Sequence, residues 1–450
     1  MAIVKTNSAH YSNIAAKIRE KTGEATKYEP SQMADGIEAV YEAGKGASKA
    51  VVEKDVNFYD YDGTLLYSYT LDEVQSLTEL PPLPTRDGLI CQEWNWTLDG
   101  LKALGRPMTV GATYITDDGA TRLHLDIPKG FSGDVPIYFY QTVSNGVTVD
   151  KGDGTTVTVG GANSYVSVNI HVNTEGERVV RLIVADGCTM SLGDGTNGVL
   201  GSSAGTNRHI VNLLAKVCFG KYVSSIGENA FNGYMALREV SLSSNARLSE
   251  GCFYNTKSLR FLVTPKGNTD TPFSSLRGSG LCGISISPSL TRIRESSLRL
   301  TWLRKLDVPD NVGFDWDSLR EIESLTKINV GGGWWFGDYT FRYCSSLKEL
   351  DFGEGQPNVT GVCQGCTSLT RVGFPSVLKS IGNNTFYQCL GMRKYDFTKL
   401  NAVPTLANVS AFTDIPAECV IVVPDNLLAE WKAATNWSTY ASYIKGASEV

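Results

Sequence analysis

What the chain has little of narrows it first. No apolar run approaches the ~20 residues that a membrane-spanning helix needs, so insertion into a bilayer is not expected. A cationic excess is missing too: 41 Lys and Arg stand against 47 Asp and Glu, for a net charge of −6. Nucleic-acid binders carry basic patches, so that class of partner is set aside. Histidine is scarce, with four residues scattered at His10, His124, His171 and His209. Cys363-x-x-Cys366 has no second Cys pair at ligand spacing and no histidine nearby, so neither metal nor cofactor is expected. Met1–Thr6 has one lysine and then turns polar, so no secretory signal is expected, and the ten cysteines are read as reduced.

What is present is periodicity. Leu237, Leu259, Leu281, Leu303, Leu325, Leu347 and Leu369 recur every 22 residues, and Met392 follows after 23. Apolar residues stand three and five positions after each, so a unit reads L-x-x-h-x-h, with Thr264 the one lapse. The alternation marks a short strand with one buried face, and a fixed period of this length marks a stacked solenoid. Six residues before the leucine stand Phe231, Phe253, Leu319, Phe341 and Phe386; eleven before it stand Ile226, Leu248, Phe314, Phe336 and Ile381. Ser275 and Ser297 replace the aromatic between 270 and 300, where irregular loops are expected. Cys344, Cys366 and Cys389 sit three before the leucine and Cys363 in the aromatic slot, positions where a thiol serves as a small hydrophobe.

"SIGENAFNGYMALREVSL" and "SIGNNTFYQCLGMRKYDF" resemble the BspA-type leucine-rich repeat over roughly residues 210–424. The tail "VIVVPDNLLAEWKAATNWSTYASYI" resembles that family's C-terminal cap, with Leu427, Leu428, Trp431 and Tyr440 expected to cover the open end.

Ahead of the repeats, residues 8–43 read as two short amphipathic helices, with Tyr11, Ile14 and Ile18 as one stripe and Met33, Ile37, Val40 and Tyr41 as the other. Such stripes must bury against something, so this segment is expected to attach or oligomerise. It resembles the N-terminal segment of tail and minor structural proteins of Firmicutes prophages. Residues 51–105 resemble another module of such proteins. Asp60-Tyr61-Asp62-Gly63-Thr64 matches the first motif of haloacid-dehalogenase phosphatases, in which two carboxylates and Mg²⁺ act on phosphate. The strand before it is short, antiparallel β is expected after it, and no later Lys or paired-Asp motif follows. A β-hairpin turning at Asp62-Gly63 explains the same residues. Trp94 and Trp96 share a strand face and suit core packing. Residues 106–200 read as regularly spaced strands of a β-sandwich, and "VTVDKGDGTTVTV" resembles the hairpin of PKD-type immunoglobulin-like domains, with Lys151 in the usual tryptophan slot.

The fold expected is multidomain and mostly β. A helical hairpin spans 1–46, a small α/β module 51–105, an Ig/PKD-like sandwich 106–205, the repeat solenoid 210–424 and a helical cap 425–450. Outward strand positions run from Glu239 and Ser241 through Phe261 and Val263, and are polar from Lys305 onward. Lys305, Asp307, Lys327, Asn329, Glu349 and Asp351 are therefore contact candidates. Trp302, Trp334 and Trp335 join them, being large rings at positions that are small in most repeats. The reading is a non-enzymatic virion tail-fibre or tail-tip protein that binds a bacterial surface glycan or protein. Other tail or baseplate proteins are further partners, and the resemblance to tail fibres, which are often trimers, implies a homo-oligomer whose copy number residues 8–43 do not fix. The alternatives are a BspA-like adhesin at the bacterial cell surface and a purely structural baseplate part.

Overall fold

The computed structural model describes residues 51–193, 196–201, 208–332, 335–352, 360–374 and 378–450. The stripe residues Tyr11, Ile14, Ile18, Met33, Ile37 and Val40 lie outside the described residues, as does Trp334. Residues 54–450 form one compact unit.

The first module is a mixed sheet with two short helices. Its elements are β1 (Val56–Tyr59), β2 (Leu65–Tyr69), α1 (Leu71–Ser76), β3 (Leu89–Trp94), α2 (Leu98–Leu104) and β4 (Met108–Thr116), in strand order β2-β1-β4-β3. β1 and β2 form the hairpin expected at Asp62-Gly63: Asp60 N donates to Thr64 O at 2.9 Å, and Gly63 takes φ +89°, which glycine adopts at little cost. α1 opens on a capping box in which Thr70 and Glu73 each satisfy the other's backbone amide. α2 stops at Gly105 in the left-handed conformation. Trp94 and Trp96 both lie in this module's core with Phe58, Leu101 and Tyr114.

Two expectations fail here. The stretch after the hairpin is not purely antiparallel, because β1 and β4 pair in parallel across the intervening helices. The segment 108–116 belongs to this module and not to the following sandwich, because its neighbours are β1 and β3.

The next strands form two sheets around a shared core: β5 (Thr121–Ile127), β6 (Gly133–Gln141), β7 (Val147–Asp150), β8 (Thr156–Val159), β9 (Ser164–Val172), β10 (Gly176–Val184) and β11 (Met190–Leu192). Both sheets run straight into the solenoid. β12 (Leu214–Cys218) pairs with β5 on one side and with β14 (Glu239–Ser241) on the other. β13 (Val223–Ile226) pairs with β11. The first turn of the solenoid therefore has no open edge.

Each solenoid turn carries two parallel ladders. The front ladder repeats as Phe261–Val263, Gly283–Ser285, Lys305–Asp307, Lys327–Asn329, Glu349–Asp351, Arg371–Gly373, Lys394–Asp396 and Val420–Val423. The side ladder runs through Asp270–Thr271, Arg292–Ile293, Gly313–Phe314 and Trp335–Phe336. All seven periodic leucines and Met392 are fully buried. Stacked aromatics line the late core, with Phe374 and Phe397 centroids 4.3 Å apart and their rings nearly parallel. Thr264, the polar lapse, is buried and satisfied: its hydroxyl accepts from Ser287 N at 2.8 Å and donates to Ser285 O at 3.1 Å.

The degenerate turns are regular, which corrects the expectation of irregular loops. Leu276 and Leu298 fill the core slot one residue later than the aromatic elsewhere. Phe253 N donates to Ser275 O, Leu276 N to Ser297 O and Leu298 N to Ser318 O, at 2.8–3.1 Å. The left-handed residues shift with them, from Gly251 to Ser274 and Ser296. At the far end, a helix (Leu428–Ala433) and the following 3-10 turn bury Trp431 and Trp437 against Phe397, and Ile444–Gly446 adds the last strand.

Candidate functional site

The outward face of the front ladder is divided. Over its first half the protein's own first module lies on it. β4 crosses the rungs obliquely: Thr116 N donates to Phe219 O and Tyr114 N to Leu242 O, each at 3.0 Å. Gly111 stands where any Cβ would come within 2.5 Å of Val263 and 2.9 Å of Ser285, so only glycine lets the strand approach this closely. Thr109 donates to Asp307 Oδ2 at 2.8 Å, and Arg106 pairs with Asp310 at 2.9 Å. Phe261 packs 5.1 Å from the Tyr59 ring.

Buried polar groups lock the same contact. Asn95 donates to Ser285 Oγ at 2.9 Å and accepts from Gly111 N at 2.9 Å. Trp96 Nε1 donates to Ile286 O at 2.8 Å. At one corner Lys216 bridges Tyr61 Oη and Glu239, each at 2.9 Å. Burial raises the Tyr61 hydroxyl's pKa above the ordinary value. Burial alone would lower that of Lys216, but its bonds to Tyr61 and Glu239 outweigh it and hold the ammonium charged.

The contact candidates separate accordingly. Asp307 is buried beneath Thr109, with Lys305 Nζ at 3.0 Å and Asn329 against its carboxylate, so it offers no surface to a partner; this corrects its assignment. Lys305 and Asn329 are half-buried in the same network. Lys327, Glu349 and Asp351 are exposed, as is Arg371 on the next rung.

The tryptophans stand apart from the front face. Trp302 is 61% exposed. Trp335 is 40% exposed on the side ladder, its ring laid over Gly313 and 5.6 Å from the Arg292 guanidinium. The structure does not bring Trp335 together with Lys327 or Glu349. Sequence reading missed Trp316, 48% exposed and with its ring 6.4 Å from that of Tyr339. The available signal was its position nine before Leu325, where other repeats carry Glu228, Glu250, Arg294 and Asp338.

Asp60 is fully buried. It accepts from Tyr114 Oη at 2.7 Å and from Tyr61 N at 2.8 Å, and pairs with Arg86. Asp62 accepts from Thr64 N at 2.8 Å within the hairpin turn. The two carboxylates thus have separate structural duties and do not converge on one point. The ten cysteines are free thiols. Cys344, Cys366 and Cys389 each donate S–H to a carbonyl of the preceding turn, at 3.1–3.2 Å. Burial raises the thiol pKa of Cys344 and Cys389, and that of Cys252 to about 12. Among the described residues no group of His, Cys, Asp or Glu could hold a metal ion, and no helix is long and apolar enough to cross a membrane.

No curated protein sequence matches the chain. Solved structures with similarity include a leucine-rich cell surface protein of Faecalibacterium prausnitzii, 15% identical, covering 48% of this chain and 73% of that one at a TM-score of 0.27. A leucine-rich repeat protein of Bacteroides ovatus is 12% identical, covering 61% and 89% at a TM-score of 0.29. The pneumococcal vaccine antigen PcpA is 16% identical, covering 50% and 64% at a TM-score of 0.30. The family model described as "BspA type Leucine rich repeat region" matches in six copies, over 211–317, 317–393 and 335–412. With the 22-residue register and the paired ladders, this makes the solenoid of this chain a BspA-type leucine-rich-repeat region.

Proposed function

We propose that the chain is a non-enzymatic binding protein whose solenoid contacts a glycan or protein on a bacterial surface, in the manner of a BspA-like surface adhesin. The observation that carries this reading is the division of the front face. Its first half is committed to an internal contact, while Lys327, Glu349, Asp351 and Arg371 present a polar, mixed-charge strip to solvent. Such a strip suits many modest contacts whose strength comes from repetition over several copies. The strands Thr121–Val184 then act as a rigid, PKD-like spacer. The test is charge reversal at Glu349→Lys with Arg371→Glu, read as binding of the full chain to bacterial cells by flow cytometry. The expected result is a several-fold loss; unchanged binding refutes the front face as the contact.

A second reading, a phage tail-fibre or tail-tip protein, is favoured by the likeness of residues 8–43 and 51–105 to prophage structural proteins. It places the same surface on a particle, as a homo-oligomer bound to other tail proteins. Recovery of the chain in purified particles after prophage induction supports it, and recovery only with the cell envelope refutes it. The solution mass of the full chain, against that of a version starting at Lys49, tests oligomerisation through the N-terminal segment.

A further inference from the structure

The second wall of the molecule is continuous from the two-sheet module into the solenoid. Across it the outward residues follow the paired registers: Tyr165 faces Tyr140, Tyr140 faces Ser191, Ser191 faces Ser225, and Ser225 bridges to Arg247. Asn268 then ties the turns by donating to Ala246 O at 2.8 Å and accepting from Leu248 N at 2.9 Å. The row resumes through Asp270, Arg292, Gly313 and Trp335. At the ~4.8 Å separation of neighbouring strands, Tyr140 and Trp335 stand roughly 30–35 Å apart along this wall.

The chemistry along the row is uneven. Rings lie at both ends. Tyr165 is 60% exposed and packs edge-on to Tyr140 at 5.2 Å. Trp335 lies over Gly313, where a Cβ would meet its ring at 2.2 Å; the glycine makes a seat for the ring. Arg292 beside that ring is held by Asp315 at 2.7 Å. Between the ends lies an open groove of ≈ 460 Å³, lined by Thr189, Lys221, Ser224, Ser225, Asn245 and Arg247 among others. Among the described residues Lys221 and Arg247 form no ion pair; Lys221 lies 4.9 Å from the ring of the groove residue Tyr222, whose hydroxyl donates to Asp186.

We infer that this wall binds an extended, negatively charged saccharide chain. Its sugar rings lie against Tyr165 and Trp335, and an anionic substituent sits between Lys221 and Arg247. A protein partner asks for the opposite layout, an apolar centre with a polar rim. A sugar polymer offers apolar ring faces for the aromatics and hydroxyls for Ser224, Ser225 and Asn245, repeated along its length. This inference rests on the glycan form of the proposed function and assigns it to a different face.

The experiment is calorimetric titration of the full chain with an oligogalacturonate octamer, a phosphorylated oligomannose and uncharged cello-octaose. Both charged chains, or the one whose anion fits, bind more tightly than the uncharged chain, and the preference shrinks as salt rises. Trp335→Ala and Tyr165→Ala each weaken the octamer roughly three- to tenfold while leaving a dimer little changed. Arg247→Glu removes the charge preference. If neither charged chain outbinds the uncharged one, or if both ring variants bind the octamer as the parent does, the inference is overturned. Cell binding separates the two readings. If Trp335→Ala with Arg247→Glu binds cells like the parent while Glu349→Lys with Arg371→Glu does not, this inference fails and the front-face reading stands. If only the wall variant loses cell binding, the wall is the contact. If neither variant loses it, both fail.

Discussion

Replacing Phe261 with alanine separates a docked front face from an open one. Phe261 points away from the solenoid core, which Leu262 fills from the same strand. On an open solenoid its ring would stand in water, and truncation would cost almost nothing, as at most surface positions. Here it is 6% exposed, against the Tyr59 ring and beside Gly63, where a Cβ would already come within 3.0 Å of it. Truncating a buried Phe costs about 3–5 kcal/mol. Because one side of this ring meets backbone glycines rather than a full shell of side chains, the lower end, about 3 kcal/mol, is expected. That is roughly a hundredfold shift in the docking equilibrium. Urea unfolding of the full chain gives the loss, and amide exchange localises it. Strands β1, β2 and β4 should lose protection, whereas the late turns around Val372 and Tyr395 should keep it. A loss under about 0.5 kcal/mol, or exchange unchanged in β4, would sink the argument that the module is packed on the repeats.

Three further outcomes follow from other contacts. Leu276→Ala should cost about 2–5 kcal/mol in urea unfolding, and Ser275→Phe, which restores the repeat consensus, should destabilise as well; stabilisation by Ser275→Phe would refute the shifted register. Native protein should react quickly with a thiol reagent at Cys282 and slowly or not at all at Cys252, Cys344, Cys363, Cys366 and Cys389, and all ten should react on unfolding. The Lys216 and Tyr61 pKa values are both raised by folding, so the contribution of Tyr61 to docking is full below its ordinary value of 10.0 and that of Lys216 below 10.5, and each is lost as pH rises through the folded values. Exchange protection of β1 should therefore fall at alkaline pH, and Lys216→Met combined with Tyr61→Phe should remove that dependence.

The solenoid was legible because its rule is local: one leucine, one strand and one aromatic per turn repeat at fixed spacing, and burial follows period. Even Thr264 and the thiols sit where the pattern placed them. The sequence could not show what lies on the strands' outer side. Phe261 and Val263 were apolar at outward positions, a sign of a covering partner, yet nothing local says that the partner is β4. The same holds for Asp307, which looks like a surface acid until Thr109 and Lys305 are seen around it. Leu276 was passed over in favour of Ser275 because counting from a fixed offset cannot see a one-residue shift that the backbone ladder absorbs. Segment 108–116 was assigned to its sequence neighbours because its parallel partner, β1, lies about fifty residues earlier.

The oblique path of β4 has a mechanical consequence. A pull along the solenoid axis tends to separate successive turns like the coils of a spring. From Phe219 to Val308, each such separation must also break a tie to β4 or to the Arg106 beside it, so the first half is splinted while the second half can flex. Extension under load would begin beyond Lys327, in the turns that carry the exposed polar strip. The module end would stay stiff until those turns had opened.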